Sequence, residues 1–507
     1  MRKLAIPAAV VLLVTLVPTT PAAAVDEINT KKLRDAVTVN GILSHERVLQ
    51  RIANQNGGTR ASGTPGYDAS ATYVKQTLRR AGYQVREQAF TFPFYRELAP
   101  AELSQVSPTP TDYETGTFDY SSSGDVTGQV VPTNDIVIPP TPAPSSTSGC
   151  EPGDFTPADP AAPQVALIQR GSCDFVVKAQ NAVNAGYDAV IIFNEGQPGR
   201  DELFIGTLGN SVGIPVVGLS FADGAALYAQ TQTAAVTVHV VTSTEVNPDA
   251  TTTNVIADSP GGDAGKVIVV GAHLDSVVVG PGINDNGSGT STILEIAVQM
   301  SKLKINPRQK VRFAFWGAEE NNLLGSEHYV NNLSNANLAK IYANLNFDML
   351  GSPNYVRFVY DGDGSASQPA GPAGSAEIED IFTSYFDSQG LASEPTAFDG
   401  RSDYGPFIAV GIPAGGLFSG AEDEKTPEQA AVYGGTAGVP YDPCYHQPCD
   451  DINNLNTRAL SEMGDAAAHA VLTLARTKSG FFPDNSRVAR KAVAKADLTF
   501  RGPHAVR

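Results

Sequence analysis

Residues 266–289 read KVIVVGAHLDSVVVGPGINDNGSG. The first half is a continuous apolar run, the pattern of a strand buried on both faces rather than on one. The second half is rich in glycine, and His273, Asp275 and Asp285 stand where the two halves meet. An imidazole and two carboxylates therefore fall where a buried strand runs into a loop. In open α/β sheets that carboxyl-terminal edge is where sites are built.

The same arrangement recurs downstream. KVRFAFWGAEE (310–320) is an apolar strand running into Glu319 and Glu320, and IYANLNFDMLG (341–351) is another ending at Asp348. GIPAGGLFSG (411–420) reads as a further short strand, while GTSTILEIAVQMSKL (289–303) and TRALSEMGDAAAHAVLTLAR (457–476) have helical spacing. Alternating strands and helices over 249–478 predict an α/β domain, its mostly parallel or mixed central sheet covered by helices on both faces. Residues 25–112 supply a first segment of the same domain: helices at SHERVLQRIANQ (44–55) and GYDASATYVKQTLRRAGY (66–83), then a strand at QVREQAFTFPF (84–94).

Residues 113–248 differ in composition. Pro/Ser/Thr-rich connections surround QVALIQRGSCDFVVKAQNAVNAGYDAVIIFNEG (164–196), which reads strand, loop, helix, strand, and IPVVGLSFADGAALYAQ (214–230) repeats strand then helix. Clustered histidines and carboxylates are scarce here. A small, β-rich α/β domain inserted into the larger one is expected.

The whole chain sets the outer bounds. It has 507 residues, enough for more than one domain, and 42% of them are apolar. The net charge of −18 disfavours nucleic acid or an anionic membrane as partner and suits a soluble exported protein. A basic start, the apolar LAIPAAVVLLVTLVP and an A-x-A site predict a signal peptide over 1–24, cleaved after Ala24. The apolar stretch is shorter than the ~20 residues a membrane span needs, so no anchor is expected. A secreted monomer is the expected state. Four cysteines in an exported chain suggest two disulfides, and four allow three pairings. Local pairing, Cys150 with Cys173 and Cys444 with Cys449, closes one short loop in each region; cysteine ligation of a metal is the other reading, although the spacings fit no common zinc pattern. Residues 479–507 are basic and lack a core-forming pattern, so a tail is expected, with a docked helix over 486–496 as the alternative.

Converging strand ends would gather one histidine and five carboxylates. That many anions repel unless a divalent cation neutralises them. Histidine nitrogen with Asp/Glu oxygen suits zinc, at roughly 2.0–2.2 Å, and two ions ~3.5–4 Å apart need about this many ligands with one carboxylate shared. A second imidazole is available at His446, in DPCYHQPCDD (442–451), with Tyr445 beside it as a hydrogen-bond donor to a developing oxyanion. Asp275, two residues beyond His273, lies on the same side of an extended segment and would orient the ring. Of the adjacent Glu319 and Glu320, one would ligate while the other accepts a proton from water.

Taken together, GAHLDS, GINDNGSG, WGAEENNLLGS, NLNFDMLG, GRSDYGPF and CYHQPCD, with NQNGGTRASGTPGYDAS near the N-terminus, make the chain resemble the zinc aminopeptidases of peptidase clan MH, especially the secreted bacterial leucine-aminopeptidase type. The resemblance covers about 25–110 and 250–478. IQRGSCDFVVKAQNAVNAGYDAVIIFN resembles a protease-associated domain. The resemblance implies a zinc-peptidase fold and two zinc ions per chain. His273 and Asp348 would hold one, Glu320 and His446 the other, with Asp285 bridging. Asp275 would orient His273, Glu319 would be general base and acid, Tyr445 a transition-state donor, and Arg401 a neighbour of the substrate. It also implies a cis bond at Asp285–Asn286, and a preference for peptides with a free, large apolar N-terminal residue.

Other readings stand beside these. A carboxypeptidase of the same clan would need further basic residues in the cleft, and only Arg401 is an obvious candidate. A single-zinc glutaminyl cyclase is the next alternative, and a binding protein that uses the inserted domain is the reading from another class. Tyr445 would otherwise pack on a disulfide. His45, His469 and His504 have no acidic companions in motif spacing and are assigned structural roles; His239 is expected within a strand and His328 on a helix surface. GDG at 362–364 and the acids at 422–424 offer a calcium reading against the commoner one of surface loops.

Overall fold

Two long strands organise the chain. Gln84–Ser107 and Thr237–Asp258 run antiparallel over almost their whole length, from Gln84 opposite Asp258 to Ser107 opposite Thr237. The computed structural model describes residues 28–478. The expected leader over 1–24, the tail 479–507 and His504 lie outside the described residues.

The ribbon joins two sheets into one. Near its Asp258 end, Thr237–Asp258 pairs with Gln309–Trp316. Near its Thr237 end the same strand pairs with Gly124–Pro132. Beyond Gln309–Trp316 lie Asp263–His273, Ile341–Phe347 and Ala414–Phe418, all mutually parallel neighbours. Beyond Gly124–Pro132 lie Gln164–Gln169, Ala189–Phe193 and Val216–Leu219, again parallel. The first set is the central sheet expected over 249–478; the second belongs to the insert. The strand foreseen at 84–94 is thus only the start of a much longer one. The sequence hides the rest because Pro93 and the polar YRELAPAELSQ interrupt the alternation. The ladder absorbs them at irregularities between Phe92 and Phe94 and between Glu97 and Glu102, where proline is tolerated.

Burial explains the unbroken apolar runs. Ile268 and Val270 point to one face of the central sheet, where helices Pro65–Arg80, Gly289–Lys302 and Thr457–Arg476 contribute Leu78, Ile293 and Met463. Val267 and Val269 point to the other, against Tyr329 and Phe407 from helices Leu324–Asn331 and Gly405–Ala409. The insert repeats the scheme: Val165 and Leu167 face helix Phe221–Thr231, and Ala166 and Ile168 face helix Phe175–Asn184. Both disulfides follow the local pairing, Cys150–Cys173 and Cys444–Cys449.

The parallel register sets up the site. Trp316 lies opposite His273, and Phe347 opposite Leu417. The strand ends therefore share one edge. The turn after Trp316 is held by close backbone contact, since a Cβ on Gly325 would lie 2.1 Å from the Gly317 carbonyl oxygen. Gly325→Ala is expected to lower stability by about 1–3 kcal/mol through overpacking, read as a shift of the urea midpoint with an unchanged m-value.

Candidate metal centre

His273 is the last residue of its strand, and the turn after Trp316 carries Glu319 and Glu320. Asp348 follows directly on Phe347. Asp285 arrives differently, in the turn Ile283–Ser288 that precedes helix Gly289–Lys302, and the Asp285–Asn286 peptide is cis. His446 lies in the short loop closed by Cys444–Cys449.

These segments meet around Asp285. Its Oδ1 is 3.2 Å from Nε2 of His273, and its Oδ2 is 3.2 Å from Nε2 of His446. Asp348 Oδ1 lies 3.3 Å from His273 Nε2, and Glu320 Oε2 lies 3.1 Å from His446 Nε2. Glu319 Oε2 stands farther off, 3.8 Å from His273 Nε2. Two half-sites result: His273 with Asp348, and His446 with Glu320, each facing one oxygen of the same carboxylate. Buried Glu320 Oε1 and Asp348 Oδ1 have no hydrogen-bond partner among the described residues. Imidazole nitrogens with carboxylate oxygens, some of which accept no hydrogen bond, form a donor set that fits divalent cations.

Electrostatics point the same way. Burial by itself would lower His273, but Glu319 and Asp348 hold it well above the usual histidine range. His446 likewise overcomes burial through Glu320 and Asp285 and is pushed up to about 11. Burial would raise Asp285, yet the two imidazoles hold it below the usual carboxylate range. Glu319 and Glu320 are raised, chiefly by burial. Burial also pushes the nearby Asp403 up to about 8. The pocket concentrates negative potential that positive charge must answer.

The positions of Asp275 and Arg401 refine the expectations. Asp275 does sit beside His273, but its carboxylate is 3.7 Å from Nδ1. The closer acceptor is the Asp275 main-chain carbonyl, at 3.2 Å, while Asp275 Oδ1 accepts from the Glu319 N–H at 3.3 Å. Arg401 donates to the Tyr445 hydroxyl at 3.2 Å and pairs with Glu422 at 2.7 Å. Tyr445 stacks on the His446 ring, centroids 3.9 Å apart.

A supporting layer was not singled out in the sequence. Asp450 accepts from the N–H groups of Asn284 and Asp285, at 2.8 and 2.9 Å. Asn286 ties the same turn to the Asp348 segment, donating to Phe347 O at 2.9 Å and accepting from Gly289 and Met349. Ser402 donates to Asp348 Oδ2 and accepts from Asn346 at 2.7 Å. Buried Arg60 donates to the carbonyls of Leu274, Pro281 and Gly282, gripping both ends of the loop between His273 and Asp285. These residues lie inside motifs quoted above, but spacing alone does not separate a buried support from a surface polar residue. Ala318, Asn322, Leu323, Met349 and His446 all hold left-handed backbone, φ 49 to 70°. Strain gathered around a site in this way is a recurrent feature of functional loops.

The other histidines among the described residues are engaged away from this centre. His45 bonds Tyr73 and Glu295, His239 pairs with Asp125, and His469 bonds Thr30. His328, expected on a helix surface, stacks on Phe90 with centroids 4.9 Å apart. In the 361–363 turn, Asp361, Asp363 and Glu379 converge. The Asp361 oxygens there accept main-chain N–H groups of Ser365, Ala366 and Ser367, as in a loop stabilised by its own side chain.

Comparison with known proteins places the chain in a family. Peptidase family M28 matches residues 254–471, and the PA domain matches residues 126–227. An aminopeptidase of Pseudomonas aeruginosa is 49% identical over 436 residues, covering 85% of this chain and 79% of that protein. Among solved structures, an aminopeptidase from Aneurinibacillus sp. strain AM-1 is similar with a TM-score of 0.67 at 27% identity, over 88% of this chain and 96% of that one. A zinc aminopeptidase from Bacillus subtilis is similar with a TM-score of 0.59 at 26% identity, over 90% of this chain and 98% of that one. Sustained identity along most of both chains, together with a shared sheet edge crowded with ligand-type side chains, leads to one conclusion: the chain belongs to peptidase family M28, as an enzyme of the metallo-aminopeptidase type with a PA domain inserted.

Proposed function

We propose that this chain removes the N-terminal residue from peptides with two zinc ions per molecule. His273 and Asp348 would hold one ion, His446 and Glu320 the other, and Asp285 would bridge them. The observation that carries this reading is the shared carboxylate of Asp285, with one oxygen 3.2 Å from each imidazole. Bound zinc would supply a Lewis acid for the scissile carbonyl and bring water into reach of deprotonation near neutral pH.

The chain's own groups do the rest. Glu319 stands outside the close ligand contacts, yet lines the same cavity as Tyr445 and His446. A buried carboxyl with a raised pKa both accepts the proton of an attacking water and returns it to the leaving amine. The Asp275 carboxylate accepts from the Glu319 N–H, so it positions the base as well as the His273 segment. The Tyr445 hydroxyl is the donor for the developing oxyanion. Arg401 holds that hydroxyl and therefore acts on substrate through Tyr445. The free α-ammonium of the peptide would be met by carboxylates of the cleft. Phe398, Pro406, Ile408 and Ala409 supply an apolar wall suited to a large apolar first side chain.

The pairing of Arg401 bears on the alternatives. A carboxypeptidase must offer a cation to the substrate's terminal carboxylate, but Arg401 is already engaged by Glu422 and Tyr445. A single-zinc cyclase leaves Asp285 without reason to face two imidazoles. We take 25–112 and 249–478 as the catalytic domain and 113–248 as the insert, with the ribbon crossing between them. Export is supported by the basic-apolar-small pattern of 1–24 and by two disulfides. Among the described residues, no helix is long and apolar enough to cross a membrane.

Two outcomes are expected. Glu319→Gln should lower kcat for a leucine chromogenic amide by 10²–10⁴-fold while elemental analysis still finds two zinc ions; near-normal turnover would remove Glu319 as the base. Asp450→Ala frees the turn that presents Asp285 and should weaken zinc binding by about 10–100-fold, measured by competition with a chromogenic chelator.

A further inference from the structure

The cavity over the metal centre has a volume of about 740 Å³ and is not built from the catalytic strands alone. Glu319, Glu320, Tyr445 and His446 line it, and so do Tyr95 of the ribbon and Asp119 and Tyr120 of the insert. The insert's contribution is firmly placed. The Asp119 N–H donates to Gly206 O, and its carbonyl accepts from the Leu208 N–H, both at 3.0 Å. Tyr120 holds left-handed backbone, φ 67°, a conformation that a bulky residue keeps only where its surroundings fix it. Its hydroxyl donates to Pro93 O at 3.1 Å and accepts from Asn321 Nδ2 at 3.4 Å. Asn321 is the residue after Glu320, so the insert is tied directly to the loop that carries the base and one ligand.

Asp119 differs from the other acids of the cleft. Of the other acids that line the cavity, Glu319 and Glu320 face the imidazoles of His273 and His446, and Glu327 accepts from Asn331. The Asp119 side chain opens into the cavity, where burial in the cleft pushes its carboxyl up to about 6, so it is ionised at neutral pH, and no hydrogen bond or ion pair engages it among the described residues. Tyr95 and Tyr120 stand next to each other, ring centroids 5.4 Å apart. A pinned carboxylate beside two aromatic rings is a receptor for a long cationic side chain: the rings take the aliphatic stem and the cation face, and the carboxylate takes the charge.

We propose that Asp119, with Tyr95 and Tyr120, is a specificity-determining element that receives a lysine or arginine side chain from one of the two peptide residues following the scissile bond. The inference rests on the aminopeptidase reading, in which the N-terminal residue occupies the metal centre and the rest of the peptide must lie along the remaining cavity. The insert then reads the part of the substrate that leaves.

The test compares kcat/KM for Leu-Ala-Ala, Leu-Lys-Ala, Leu-Ala-Lys and Leu-Glu-Ala, with a leucine chromogenic amide alongside, in the full-length zinc-loaded protein and its Asp119→Asn and Asp119→Lys variants. The wild type should favour one lysine peptide over Leu-Ala-Ala by about 5–10-fold, mainly through KM, and the preference should shrink as salt rises. Asp119→Asn should abolish that ratio, and Asp119→Lys should invert it toward Leu-Glu-Ala. Thermal midpoint and zinc content, compared across the three proteins, separate this effect from damage to the fold. Lysine-to-alanine ratios that are equal in all three proteins, with the chromogenic amide still cleaved by the wild type, would overturn the role of Asp119 alone. Failure of the zinc-loaded wild type to cleave the amide would overturn the aminopeptidase reading and this inference with it.

Discussion

The constraint on which the rest of the structure depends is electrostatic. Two imidazoles and a set of carboxylates are brought within 3–4 Å of one another out of bulk water. Charges in such a place are costly unless each has a counter-charge at short range. Asp285 answers both imidazoles at once, and it does so only because its turn is held from several sides. Asp450 takes two N–H groups of the turn, Asn286 laces it to the segment of Asp348, and Arg60 collects the carbonyls before it.

The sheet supplies rigidity from below. Its strands are packed against helices on both faces, so a shift of register would break close packing on two sides at once. Parallel pairing aligns their carboxyl ends, so that His273 at one end, Asp348 one residue past another, and Glu319 and Glu320 three and four residues past a third come together. Strain is then confined to the loops: the left-handed residues Ala318, Met349 and His446 lie beside or within the centre, where tight packing over-determines them.

The ribbon of Gln84–Ser107 and Thr237–Asp258 gives the insert its mechanical meaning. A domain joined by a flexible linker would move independently of the site. Here the joining strand is a member of both sheets, and the Tyr120–Asn321 contact adds a second attachment next to Glu320. The PA domain is therefore held as part of the cleft wall.

Much of this was legible in the chain itself. Apolar runs ending near His273, Glu319 or Asp348 marked the α/β sheet and the edge where these groups gather, because burial on both faces keeps most positions of such a strand apolar until it ends. Composition separated the insert, and cysteine spacing matched the disulfides found. What the sequence left open depends on distant partners. That Asp275 places its main-chain carbonyl, rather than its carboxylate, nearest the His273 ring, that Arg401 is spent on Glu422 and Tyr445, and that Asp119 opens into the cavity are all outcomes of packing between segments far apart in the chain. Periodicity records whether a side chain is covered; which atom it meets is decided only when separate strands and loops are brought into register.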